Sequence, residues 1–283
     1  MKTKSAIRYC RGLTVLEMLV SVTLLVFIVV GLTAMFIQTQ RAFKSGVKQT
    51  AMTDAGHTII DMVGADLSQA SDAQNTNIYN LYWAWAAANT SSQFQDNVFN
   101  KYRTNQLQEI FALVYTNTQW VAVGYAVSNY ASGAGTLYRF LTNTPAPLTT
   151  NAFLTIFNHF QSAVPGVATF DPAYFHPVAG GVVHLKIRAF DQFGNESAFS
   201  QGEDFATNGS FSYPVQAYTN NLLMAAPPAG LPNTIQLEVG VLEPDAFQQL
   251  RALPAISAGT FLGKAGGMIQ IYRQNIPIAG ATR

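Results

Sequence analysis

The best acid cluster in the chain is Asp191, Asn195 and Glu196, with Glu203 and Asp204 a few residues further on. Side-chain oxygens of this kind suit a hard cation such as calcium. Their spacing matches no EF-hand loop, and Asp191 to Asn195 reads equally well as a turn, which accounts for both residues without a metal. The four histidines, His57, His159, His176 and His184, are spread widely and form no HExxH pair. His57 and Asp61 share a helical face, but two ligands do not complete a zinc site. The stretch GTFLGKAG, residues 259 to 266, is one residue short of a phosphate loop and lacks Ser or Thr after Lys264; no GxSxG elbow occurs. The single cysteine, Cys10, allows no disulfide within the chain and no cysteine-based metal site. Lipid attachment there would want small apolar residues before it, where Arg8 and Tyr9 stand. No catalytic residue, cofactor or resident metal is expected, with calcium at Asp191, Asn195 and Glu196 as the alternative.

A different residue carries the strongest chemical signal. Glu17 is the one ionisable side chain in the apolar run from 13 to 37. An intramembrane carboxylate costs about 2.5 to 3.5 kcal/mol on insertion scales and usually has a partner. The run has 25 residues, and at about 1.5 Å per residue that is long enough to cross a hydrocarbon core of roughly 30 Å. Lys2, Lys4, Arg8 and Arg11 precede it; Arg41, Lys44 and Lys48 follow, so charge bias alone orients it poorly. A signal peptide, an uncleaved anchor and a buried core helix all pass the same test. A signal peptide lacks its small-x-small cleavage site here. None of the three explains Glu17.

Gly12 followed by LTVLEM resembles the class III signal of type IV pilins and pseudopilins: a basic leader, Gly, then Phe-Thr-Leu-Ile-Glu-Leu. Leu13 stands where Phe is more usual. The resemblance implies that a prepilin peptidase cuts between Gly12 and Leu13 on the cytoplasmic face and methylates the new amine of Leu13. Glu17 becomes the fifth mature residue. That amine, of unperturbed pKa near 8, is a natural neutraliser for a carboxylate in low dielectric. In the family's filaments the amine belongs to the neighbouring subunit, so the pair sets axial register; an internal pair is the alternative, since positions 13 and 17 share a helical face. Loss of the leader would remove four of the 16 basic side chains, leaving 12 against 15 acidic ones, and the only cysteine.

The resemblance implies an α+β, type IV pilin-like fold in which a long N-terminal helix packs on an antiparallel β-sheet. The expected organisation is a leader at 1–12, a membrane or filament-core helix at 13–37, an amphipathic continuation at 38–70 and an extracytoplasmic β-rich domain at 71–283. Val47, Ala51, Ala55, Ile59, Val63 and Leu67 repeat every four residues along the continuation, and no proline interrupts residues 13 to 70. Gly31, Gly46, Gly56 and Gly64 are candidate bends. Residues 71 to 108 read as an irregular or partly helical excursion around NIYNLYWAWAAAN; Tyr79, Tyr82, Trp83 and Trp85 could form an exposed partner surface or fold back on the domain.

Strand signals follow in IFALVYT, QWVAVGYAVS, TLYRFL, GVVHLKIRAF and NTIQLEVGVL. Val183, Leu185, Ile187 and Ala189 alternate with His184, Lys186 and Arg188, predicting a half-buried strand in a sheet with one wet face. A last helix is expected in EPDAFQQLRAL, stopped by Pro254, and an edge strand in GGMIQIYRQNIPI. The hairpin ending in Leu-Tyr-Arg and the strand pair VVHLKIRAFDQFGNES and LPNTIQLEVGVLEPD are similar to the GspJ and PilW group of minor pseudopilins.

These readings predict a structural minor pilin or pseudopilin subunit rather than an enzyme, assembled near the tip of a type II secretion pseudopilus or into a type IV pilus. Its partners would be prepilin peptidase, other pilin-like subunits, and the bacterial inner membrane with its assembly platform. It would cross that membrane once, with a cytoplasmic N-terminus and a periplasmic domain. The rival is a membrane-anchored extracytoplasmic binding module for uptake or adhesion, using the helix as a tether. A net charge of +1 without a long like-charge block gives no footprint for nucleic acid.

Overall fold

The computed structural model describes residues 14–75, 77–85, 93–96, 101–104, 106–128, 133–162, 170–196, 210–213 and 231–282. Two compact units divide between Lys48 and Gln49. Helix α1, Val15–Ser68, begins in the first and ends in the second. The strands are β1 (Leu81–Trp85), β2 (Gln93–Asp96), β3 (Lys101–Thr104), β4 (Gln108–Thr116), β5 (Gln119–Ser128), β6 (Gly135–Pro145), β7 (Phe175–Phe190), β8 (Ser210–Tyr213), β9 (Thr234–Leu242) and β10 (Ile269–Pro277). Three further helices are α2 (Thr150–Ser162), α3 (Pro244–Ala252) and α4 (Ala255–Lys264). Eight strands form one antiparallel sheet in the order β10-β9-β7-β6-β5-β4-β1-β8, and β2 pairs with β3. The architecture is α+β, a long N-terminal helix and a curled antiparallel sheet.

Within the second unit, the end of α1 lies on the sheet through Gly56, Ile59, Ile60, Val63, Gly64 and Leu67, all buried. That is the i, i+3, i+4 stripe of a 3.6-residue period. The strict every-fourth line from Val47 is followed only at its end, because each step of four advances 40° too far: Val47 and Ala51 are exposed. Gly56 and Gly64 are points of close approach rather than bends. A Cβ on Gly56 would overlap the Tyr272 ring, and one on Gly64 would lie 3.2 Å from the Gln274 amide oxygen.

One side chain on α1 ties this packing to the sheet. Asp66 accepts two hydrogen bonds from the Arg139 guanidinium, Nε at 2.8 Å and an Nη at 2.9 Å, and a third from the Tyr125 hydroxyl. A bidentate, partly buried carboxylate–guanidinium pair fixes both distance and angle. Burial first, and the Asp66 carboxylate next, push the Tyr125 hydroxyl well above the ordinary phenol range. Arg139 is the arginine of the Leu-Tyr-Arg hairpin.

The sheet has no wet face over most of its extent. Leu81, Trp83, Ile110, Tyr125, Leu185, Leu237 and Val239 belong to the core beneath α1. On the opposite face Tyr82, Phe111, Phe140 and Phe175 pack with Phe153, Phe157 and Phe160 of α2. Val183 and Leu242 pack with Ala246 and Leu250 of α3 and Leu262 of α4. The expected half-buried strand at 181–190 is therefore covered on both sides, and His184 and Lys186 are buried. Val183 also points away from Leu185 and Ile187, because the ladder to β9 shifts register between Val182 and His184.

Residues 71 to 108 differ most from expectation. LYWAW is β1, paired with β4 on one side and β8 on the other. Tyr82 and Trp83 are buried and Tyr79 half-buried, so these aromatics fold back on the domain; the surroundings of Trp85 lie outside the described residues. Pro254 does stop α3, but it stands directly before α4, which the sequence did not suggest. The strands expected at 110–116, 119–128, 136–141, 181–190 and 233–242 are all present, and β10 pairs with β9 up to Pro277.

Candidate functional site: the apolar helix and its terminal carboxylate

Within the first unit, every side chain from Val15 to Ile37 is exposed. An 18-residue window of this helix has a mean hydropathy of 2.7 and buries none of itself in the protein. The helix is long and apolar enough to span a membrane. Its few hydroxyls are satisfied without water. Ser21 donates to the Glu17 carbonyl at 2.7 Å, Thr23 to Val20 and Thr33 to Val29, each at 2.8 Å. Back-bonding to the preceding turn is the means by which Ser and Thr enter apolar surroundings without a stranded donor.

Glu17 has a partner within its own chain. The Thr14 backbone N–H donates to Glu17 Oε2 at 2.9 Å, and the Thr14 hydroxyl to the same oxygen at 3.1 Å. In return the Glu17 backbone N–H donates to Thr14 Oγ1 at 3.3 Å. This is a capping box: Thr14 precedes the first helical residue, Glu17 sits at the third, and each closes an otherwise open donor of the other. The carboxylate also lies at the positive end of the helix dipole. The sequence carries this cap as Thr14-Val15-Leu16-Glu17, the S/T-x-x-E pattern, which satisfies the carboxylate without an amine. Gly12 and Leu13, the expected scissile pair, lie outside the described residues.

The other candidates separate rather than converge. Asp191 Oδ1 accepts the backbone N–H groups of Phe193 and Asn195, each at 2.8 Å, and Oδ2 accepts the Asn195 amide at 3.1 Å. Burial acts against it, but hydrogen bonds from Asn195, Phe193 and Gly194 outweigh that and hold the Asp191 carboxyl below its ordinary range. The carboxylate thus builds a turn, with Gly194 at φ +78° completing it. Glu196 faces Arg188 at 3.8 Å. Glu203 and Asp204 lie outside the described residues. Among the described residues no three His, Cys, Asp or Glu side chains are grouped to hold a metal.

His57 is exposed with its ring 5.6 Å from Tyr272, His159 lies 5.0 Å from Tyr174, and His176 is exposed on β7. Residues 259 to 264 are helical in α4 rather than a loop before a helix. Sequence reasoning missed the burial of His184, Glu238 and Glu109. His184 Nε2 lies 3.5 Å from Glu238 Oε2, and Glu238 Oε1 lies 3.1 Å from Arg273 Nε. Glu109, 8% exposed on β4, has its carboxyl pushed up to about 7 by burial, against a hydrogen bond with Tyr82 that lowers it.

No protein family, curated protein or solved structure matches the chain.

Proposed function

We propose that the chain is a minor pilin-like structural subunit, processed at Gly12–Leu13, held in the bacterial inner membrane by its N-terminal helix and assembled into a type IV pilus or secretion pseudopilus. The observation that carries this reading is the helix from Val15 to Ile37, exposed along its whole length with Glu17 as its one ionisable side chain. Such a surface is stable only in lipid or among other apolar helices. A carboxylate three residues into it suits a cationic amine arriving in low dielectric.

The role of Glu17 on this reading has two stages. Before assembly the Thr14 cap satisfies it. In the filament, the cleaved amine of Leu13 from a neighbouring subunit takes over, and the helices bundle in one axial register. The capping box favours the rival reading, a tethered binding module, to one extent: a Glu17 that serves only as a cap needs no neighbour.

Co-expression with a prepilin peptidase tests the processing step. Wild type is expected to lose its first 12 residues and begin at an N-methylated Leu13 by intact mass, while Gly12→Asp keeps its leader. A full-length wild-type band with active peptidase would refute processing.

A further inference from the structure

Segment 106–108 leads into the start of β4 and reaches across to β7, which is not the neighbour of β4 in the sheet order. Leu107 forms a parallel bridge with Leu185. Three hydrogen bonds hold the two together. The Leu185 N–H donates to the Gln106 carbonyl at 2.8 Å, the Ile187 N–H to Gln108 Oε1 at 2.7 Å, and the Gln106 N–H to His184 Nδ1 at 3.2 Å. This clasp curls the sheet shut at one end, and the chain's one buried histidine is part of it.

The third bond fixes the protonation state of the ring. A nitrogen that accepts an N–H carries no proton of its own, so the proton of His184 is on Nε2, facing Glu238. Gly240 lies opposite His184 in the ladder, and a Cβ there would come within 2.8 Å of the His184 Cβ, so the missing side chain lets the two strands approach at this point. Glu238 is also directly opposite Lys186 on β7 and Arg273 on β10. The carboxylate is paired with Arg273, and His184, Lys186 and Glu238 are all 5% exposed or less.

We propose that His184 makes this clasp acid-sensitive: with a neutral ring the sheet end is closed, and a proton on Nδ1 opens it. In the charged ring both nitrogens are donors, so Nδ1–H would point at the Gln106 N–H and the bond between them is lost. The new charge would also be buried beside a carboxylate already paired with Arg273, which is costly in low dielectric. Once the clasp opens, the ring meets water, where an imidazole takes up its proton near pH 6.5. Acid thus pulls the equilibrium toward the open form. Among the described residues Glu238 faces the ring and in turn pairs with Arg273; Lys186 stands two residues along β7, opposite Glu238 in the ladder, and Arg188, further along, faces Glu196. Glu109 lies one residue beyond the clasp, and its carboxyl, pushed up to about 7 by burial, takes up its own proton as pH falls through that range.

Residue-resolved amide hydrogen exchange on the full chain in detergent tests the proposal. With intrinsic exchange rates divided out, protection of the Leu185 and Ile187 amides is expected to fall about tenfold per pH unit below about 6.5. Val123 in the centre of β5 should keep its protection over the same range. His184→Gln keeps an acceptor for the Gln106 N–H and cannot titrate, so its protection at Leu185 should be independent of pH. Equal protection of wild type at neutral and acid pH would overturn the proposal, as would an unchanged pH dependence in His184→Gln. A readout free of any variant is the ring nitrogen signal of His184 at neutral pH: Nε2 protonated and Nδ1 bare is expected, and a proton on Nδ1 would refute the clasp.

Discussion

Glu109 is the residue where burial and charge conflict most openly. Its folded carboxyl titrates at about 7 against an ordinary value of 4.5. The folded state therefore holds a proton that the unfolded chain has lost between those two values. The contribution of Glu109 to stability is full below 4.5, falls as pH rises through that window, and is lost above about 7, by roughly 3 kcal/mol. Glu109→Gln keeps the shape without the titration. Denaturant unfolding should find the variant more stable than wild type by a few kcal/mol at about pH 8 and equal to it at about pH 4. A Glu109→Gln variant no more stable than wild type at about pH 8, relative to their difference at about pH 4, would defeat the argument. Arg139 shows the opposite case: its cation is matched by Asp66 in a bidentate pair, so its burial strengthens the packing rather than straining it.

At the scale of elements, α1 was the most legible. Its length follows from the unbroken run without proline, and its buried stripe from a 3.6-residue period. The strands rich in Val, Ile and aromatics were equally plain. What stayed hidden has a common cause. β1 is a five-residue strand covered on both faces, so LYWAW carries no alternation of apolar and polar residues to mark it. Likewise His184 and Lys186 alternate with Leu185 and Ile187 as if facing water, and only the third dimension shows that face covered. α2 buries Phe153, Phe157 and Phe160 at helical spacing, a pattern that three phenylalanines among polar residues state weakly. The glycines of α1 were legible as exceptions but not in their reason. Gly56→Leu should push Tyr272 off the helix and destabilise the second unit by about 1 to 3 kcal/mol, while Gly31→Leu, with nothing within 4 Å, should leave thermal unfolding unchanged. Equal effects of the two would contradict close packing at Gly56.

For the whole molecule, the candidate site divides unevenly between sequence and structure. Glu17 was legible as the one charge in an apolar helix; Thr14 as its present partner was not recognised, because a two-way cap is a matter of geometry at a helix end. The two roles of Glu17 can be separated chemically. A glutamine at this position still accepts the Thr14 N–H and still caps the helix, but it carries no charge to meet an amine. The decisive measurement is the amount of Glu17→Gln recovered in sheared filaments from cells that also make prepilin peptidase and the other subunits. The expected result is a variant that is cleaved after Gly12, keeps its helix and is absent from the filaments. Recovery at the wild-type level would contradict the filament role of Glu17 and leave α1 as a tether.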